Sequence, residues 1–109
     1  MRIIEGAGSY SQPGEGTSHW IEHLKVSDLS VGTYSIPAGG VDEQSPHTED
    51  EVYVVAAGRA RLESADGAVE VRPGSVLYVP AGESHRFVEV TADLAVIVLF
   101  APAEYSRDA

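Results

Sequence analysis

His47, Glu51 and His85 carry the donor chemistry of a metal centre in a chain of 109 residues that has no cysteine. Two imidazoles supply borderline-soft nitrogen and a carboxylate supplies negative charge. Three such ligands leave positions free for water or substrate, which suits a divalent transition metal. The three residues sit within two series of Gly, Pro and ligand-type side chains. The first runs Gly39, Ser45, His47, Glu51, Gly58, with five, one, three and six residues between successive members. The second runs Gly74, Pro80, Gly82, His85, Glu89, with gaps of five, one, two and three. Ser45, His47 and Glu51 share parity, so on a continuous strand all three project from one face. Tyr53 and Val55 continue that face as apolar lining, with Val52 and Val54 on the other.

The two series resemble the paired signature motifs of the cupin superfamily, G-x5-H-x-H-x(3,4)-E-x6-G and G-x5-P-x-G-x2-H-x3-N, and eight of the ten positions agree. The departures are Ser45, where that family usually has its first histidine, and Glu89, where it usually has asparagine. The resemblance implies an all-β fold, a small double-stranded β-helix or jelly-roll barrel. It also implies that His85 comes from an opposing strand to meet His47 and Glu51 around a divalent transition metal (Fe, Mn, Ni, Co or Zn). A serine hydroxyl is neutral and donates weakly, so three arrangements stay open: three protein ligands with extra water, a fourth ligand recruited from Gln44 or His23, or a barrel without metal. His23 also reads as an ordinary core or surface histidine. Glu49 and Asp50, beside Glu51, read as solvated.

These side chains need strands to position them, and the chain supplies strand signals. From Trp20 onward, runs rich in Val, Ile, Tyr and Phe alternate with turn signals at residues 37–40, 65–67, 72–74 and 80–82, which fits eight or nine short strands. No window shows sustained helical periodicity, so the expected helix content is nothing beyond a turn in the tail from Ala103. Residues 1–18 read as an arm or loop, 19–102 as the barrel and 103–109 as a tail, all within one domain. In the family pattern Gly58 and Gly74 sit at turns, and Pro80 and Gly82 bracket a bend that aims His85.

Seventeen acidic residues against seven basic give a net charge of −10, which repels a phosphate backbone and makes nucleic acid a poor partner. No segment has the ~20 apolar residues that span a bilayer, and the N-terminus lacks the basic start and apolar run of a secretory signal, so the expectation is a cytoplasmic protein with no membrane partner. No nucleophile triad, phosphate-binding loop or basic aromatic platform is present. Tyr34, Tyr53, Tyr78 and Phe87 are candidates to line a pocket for a small organic ligand. Glu89 and Tyr53 are the candidate acid–base groups, although Glu89 also reads as an outer carboxylate paired with Arg59, Arg61 or Arg86.

By resemblance to small cupins, the expected function is a metal-dependent enzyme acting on a small organic substrate, of oxygenase, isomerase or cyclase type. A non-catalytic metal- or ligand-binding module and a metal-free isomerase-like cupin are the alternatives. A homodimer is expected, because exposed strand edges favour burial between subunits.

Overall fold

The structure is a computed structural model that describes residues 1–44 and 46–106. Six strands make up its regular structure: β1 (His19–Lys25), β2 (Ser30–Ile36), β3 (Asp50–Ser64), β4 (Gly67–Val71), β5 (Val76–Val79) and β6 (His85–Ala101). All pair antiparallel, in the order β1-β2-β6-β3-β4, with β5 added to β3. The described residues contain no helix long and apolar enough to cross a membrane. The expected turn in the tail is present, with the Ser106 amide donating to the Ala103 carbonyl.

Six strands replace the expected eight or nine because two apparent breaks are bulges. The runs EVYVVAAG and RARLES form a single strand, β3, and HRFVEV joins LAVIVLFA as β6. The β3–β6 register slips three times between Val55 and Arg61. Gly58 sits in the middle of these slips with φ 91°, where a Cβ would lie 2.3 Å from the Asp93 carbonyl oxygen. Only glycine fits there, so the motif glycine marks a bulge instead of a strand end.

Alternation along β3 buries Glu51, Tyr53 and Val55 and leaves Val52 and Val54 half-exposed on the other face. The buried face belongs to one cluster that contains Tyr34 and Ile36 of β2, Val71 of β4, Val79 of β5, and Phe87, Leu94 and Phe100 of β6. In ladder order β2 and β4 are separated by two strands, so a flat sheet would hold their side chains apart. Their shared cluster requires the sheet to curl about its buried face, as jelly-roll sheets do. The ladder remains open between β1 and β4.

Candidate metal and ligand site

Backbone hydrogen bonds fix the two motif regions against one another. The Gly82 amide donates to the His47 carbonyl at 2.8 Å, and the Ala81 amide donates to Asp50 Oδ1 at 2.8 Å. The bend at Pro80–Gly82 is thereby fastened to the approach to β3, which places His85, first residue of β6, beside Glu51. Asp42, which follows the turn at residues 37–40, bonds to three neighbours. Its Oδ1 accepts from the Tyr34 hydroxyl at 2.6 Å, and its Oδ2 accepts from Gln44 Nε2 and the Phe87 amide, each at 2.8 Å.

The His85 and Glu51 side chains are each 1% exposed, and His85 Nε2 lies 2.8 Å from Glu51 Oε1. The other ring nitrogen, Nδ1, faces the Glu83 carbonyl at 2.8 Å. A carbonyl only accepts, so Nδ1 carries a proton. Nε2 therefore directs a lone pair at a carboxylate oxygen unless a cation occupies the space between them. In the metal-free protein that cation is a second proton, shared toward the Tyr53 hydroxyl oxygen at 2.7 Å, while the Tyr53 hydroxyl donates to Gln44 Oε1 at 3.3 Å. Burial alone would lower the His85 pKa, but the Glu51 hydrogen bond, the Glu83 carbonyl and the Glu51 charge outweigh it and raise it. Burial, then the Glu51 charge, push the Tyr53 phenol well above its usual range.

His47 lies in the same electrostatic neighbourhood. Burial depresses its pKa, Glu51 opposes that effect, and His85 reinforces it. Its ring packs on Phe100 with centroids 4.6 Å apart and on Tyr105 at 5.9 Å, and its Nδ1 stands 3.5 Å from Glu104 Oε2. Two buried atoms in this region have no hydrogen-bond partner, His47 Nδ1 and Glu51 Oε2. The donor chemistry therefore fits a divalent cation: a buried carboxylate oxygen without a partner, an imidazole nitrogen aimed at the same carboxylate, and a second imidazole nearby. Among the described residues, however, no three His, Asp or Glu side chains stand grouped so that they could hold a metal ion.

A cavity of about 310 Å³ opens beside His47, walled by Trp20, Tyr34, Gln44, Phe100, Glu104 and Tyr105. The Trp20 ring lies over Gly32, its diagonal neighbour on β2, where no side chain displaces it. A Cβ on Gly32 would stand 2.2 Å from Cη2 of the Trp20 ring.

The structure scatters the remaining candidates. Ser45 lies outside the described residues. Gln44 does stand at the cavity, bound to Asp42 and Tyr53. His23 does not: its Nε2 meets Thr33 Oγ1 at 2.7 Å under the N-terminal arm, where the Gly8 amide also bonds that oxygen. On a regular strand Glu89 would face the same way as His85 and Phe87, but it has φ 51° and its side chain is 66% exposed, in keeping with the outer carboxylate reading. The irregular backbone there breaks the two-residue alternation and turns Glu89 outward, its Oε2 3.7 Å from Arg61 Nη1, in a separate groove. Tyr34, Tyr53 and Phe87 are buried, whereas Tyr78 is 63% exposed on the outer face of β5 and lines a different cavity from the one beside His47, shared with Leu77, Glu83 and His85. Glu49, expected in solvent, is buried and accepts from the Tyr105 amide at 2.7 Å and from the Thr48 hydroxyl, which ties the tail to the β3 approach. Asp50 is half-buried and holds the Ala81 amide. Asp42 and Glu104 escaped sequence reasoning, because a carboxylate after PAGG reads as a turn residue and one after Pro102 reads as tail.

Residues 32–101 match the cupin domain family. The chain belongs to the cupin family. It is 44% identical over 85 residues to an uncharacterized protein of Streptomyces coelicolor, an alignment that covers 78% of this chain and 81% of the relative. Among solved structures, an RmlC-like cupin from Desulfovibrio desulfuricans superposes with a TM-score of 0.78 at 15% identity, covering 94% of this chain and 99% of that one. KdgF from Halomonas sp. superposes with a TM-score of 0.73 at 24% identity, covering 84% and 85%. DMSP lyase DddQ from Ruegeria pomeroyi gives 0.73 at 17% identity, covering 93% of this cupin and 54% of the lyase. At these identities the structural likenesses establish the fold.

Proposed function

We propose that this cupin holds a divalent transition metal between His85, Glu51 and His47 and acts enzymatically on a small organic molecule lodged in the adjoining cavity. One observation carries the reading. His85 commits Nδ1 to a backbone carbonyl and directs Nε2 at a buried Glu51 oxygen 2.8 Å away, while Glu51 Oε2 and His47 Nδ1 lie buried without a hydrogen-bond partner, a need that a proton on His85 leaves unmet and a metal ion would meet. A carbonyl bond at one ring nitrogen is also the means by which proteins orient the other toward a metal. When bound, such a metal supplies Lewis acidity toward an oxygen of the ligand, or activation of dioxygen.

The chain's own residues do the rest. Glu83 fixes the His85 tautomer, Glu51 offsets positive charge, and Asp42 and Gln44 hold Tyr34 and Tyr53 in place. Trp20, Tyr34, Phe100 and Tyr105 supply an aromatic wall for the ligand. A metal-free acid–base reading draws on the Tyr53 hydroxyl, 2.7 Å from His85 Nε2, and metal dependence of activity separates the two. The apolar side chains exposed on the edge strand β4 and on β5, Val69, Val76 and Tyr78, support a homodimer as the working assembly. The test of the metal reading is calorimetric titration of chelator-treated protein with Mn, Fe, Co, Ni and Zn salts. About one ion per chain should bind, and His85→Ala should abolish it. The absence of binding by all five ions would count decisively against the reading.

A further inference from the structure

The walls of the cavity beside His47 also indicate what kind of molecule it takes. Trp20, Tyr34, Phe100 and Tyr105 present aromatic surface to it, and the Trp20 and Phe100 rings meet edge to face with centroids 6.2 Å apart. The charged side chains among the described lining residues are Glu43 and Glu104, and neither a lysine nor an arginine joins them. Two more carboxylates stand behind the wall. Asp42 is bonded to the lining residues Tyr34 and Gln44, and Glu51 acts on His47. Lys25 acts on Glu104 from outside the lining, where Glu22 and Glu49 oppose it.

Glu49 also acts on both His47 and Glu104, so the ionised carboxylates around the cavity outnumber the charges that a dication at the proposed metal site would offset. A carboxylate or phosphate ligand would enter against this field without an Arg or Lys fork to receive it, whereas an organic cation would meet ring faces and acid groups together. Aromatic faces attract cations through their quadrupole, most strongly where water is excluded. Phe100 and Tyr34 are already buried and Glu104 is only 6% exposed, while Trp20 and Tyr105, 37% and 56% exposed, offer ring surface for a ligand to cover. The net charge of −10 adds long-range attraction for a cation.

We infer that the cavity selects a small organic cation, an alkylammonium or similar onium group held between Trp20, Tyr105 and Glu104, over neutral or anionic molecules of the same shape. The inference builds on the proposed ligand cavity, but its test reads ligand charge and not metal content. Trp20 is the chain's sole tryptophan and stands in the cavity wall, so its emission reports occupancy directly. Choline, 3,3-dimethylbutan-1-ol and 3,3-dimethylbutanoate share a branched head and differ in charge. Each is titrated against the full chain with and without added Mn²⁺.

Choline should bind roughly tenfold tighter than the neutral alcohol, and the carboxylate more weakly than either. Glu104→Gln should cut the ratio of choline to alcohol affinity to about threefold or less, whereas simple loosening of the tail would weaken both alike and keep the ratio. Equal affinity for choline and the alcohol overturns the inference. So does tighter binding of the carboxylate, or no response to any of the three up to on the order of 10 mM. If the choline preference holds while metal titration fails, only the metal reading falls; the reverse pattern removes only the cation preference.

Discussion

Removing the His85 ring should destabilise the metal-free protein severely, and neutralising Glu51 as well should restore part of the loss. The Glu51 side chain is 1% exposed, its Oε1 faces His85 at 2.8 Å, and its Oε2 has no partner. His85→Ala therefore leaves a desolvated carboxylate with nothing positive beside it. Breaking a buried pair from one side costs about 3–5 kcal/mol. In a domain of this size 3 kcal/mol corresponds to a fall in Tm of roughly 15 °C. Glu51→Gln in the same chain removes the stranded charge, so the double variant should regain roughly half of that loss, the remainder being the cavity left by the ring. Urea denaturation in chelator at pH 6, followed by circular dichroism, gives the four free energies of the cycle. A His85→Ala cost below about 1 kcal/mol, or a double variant less stable than both singles, would refute the picture of a charge held by its partner.

The pH dependence of the metal-free protein follows from the two histidines. The His85 pKa is raised, so its contribution is complete below the unfolded value of about 6.5 and is lost as pH climbs through the folded value. The His47 pKa is lowered, so its contribution is present above about 6.5 and is lost as pH falls through the folded value. Urea midpoints across pH 5–9 should peak near pH 6.5, and His85→Ala should flatten the alkaline side; an unchanged alkaline slope contradicts the assignment. Gly58→Ala should cost roughly 2–4 kcal/mol, because the residue takes φ 91° and its new Cβ meets the Asp93 carbonyl, a loss that thermal unfolding would register. Asp42→Ala strips partners from the Tyr34 hydroxyl and the buried Phe87 amide; a loss of about 3 kcal/mol is expected by denaturant titration, with Tyr34→Phe recovering part of it in the double variant.

The sequence made the fold class legible because glycine and proline must occupy positions that other residues cannot. The Pro80–Gly82 bend lies where expected, fastened to His47, while Gly58 serves a bulge inside β3 in place of the expected turn. Strand number was not legible, since a bulge and a turn call for the same glycine and only pairing distinguishes them. Parity placed Glu51, Tyr53 and Val55 on one buried face, because β3 is regular there. The same rule failed at Glu89, where a left-handed residue resets the alternation. His23 and Tyr78 had suitable chemistry but sit on faces turned away from the cavity. Asp42 and Glu104 had no periodic signal, for loop carboxylates acquire their meaning from tertiary contacts with Tyr34, the Phe87 amide and His47.

Calorimetric titration of chelator-treated protein with Mn²⁺, repeated on the His47→Ala and Glu51→Gln variants, bears most directly on the metal centre. Near-stoichiometric binding to the natural chain, weakened at least roughly tenfold by either substitution, is the expected result. Binding that is absent from the natural chain, or that survives both substitutions intact, would contradict a metal held by these side chains.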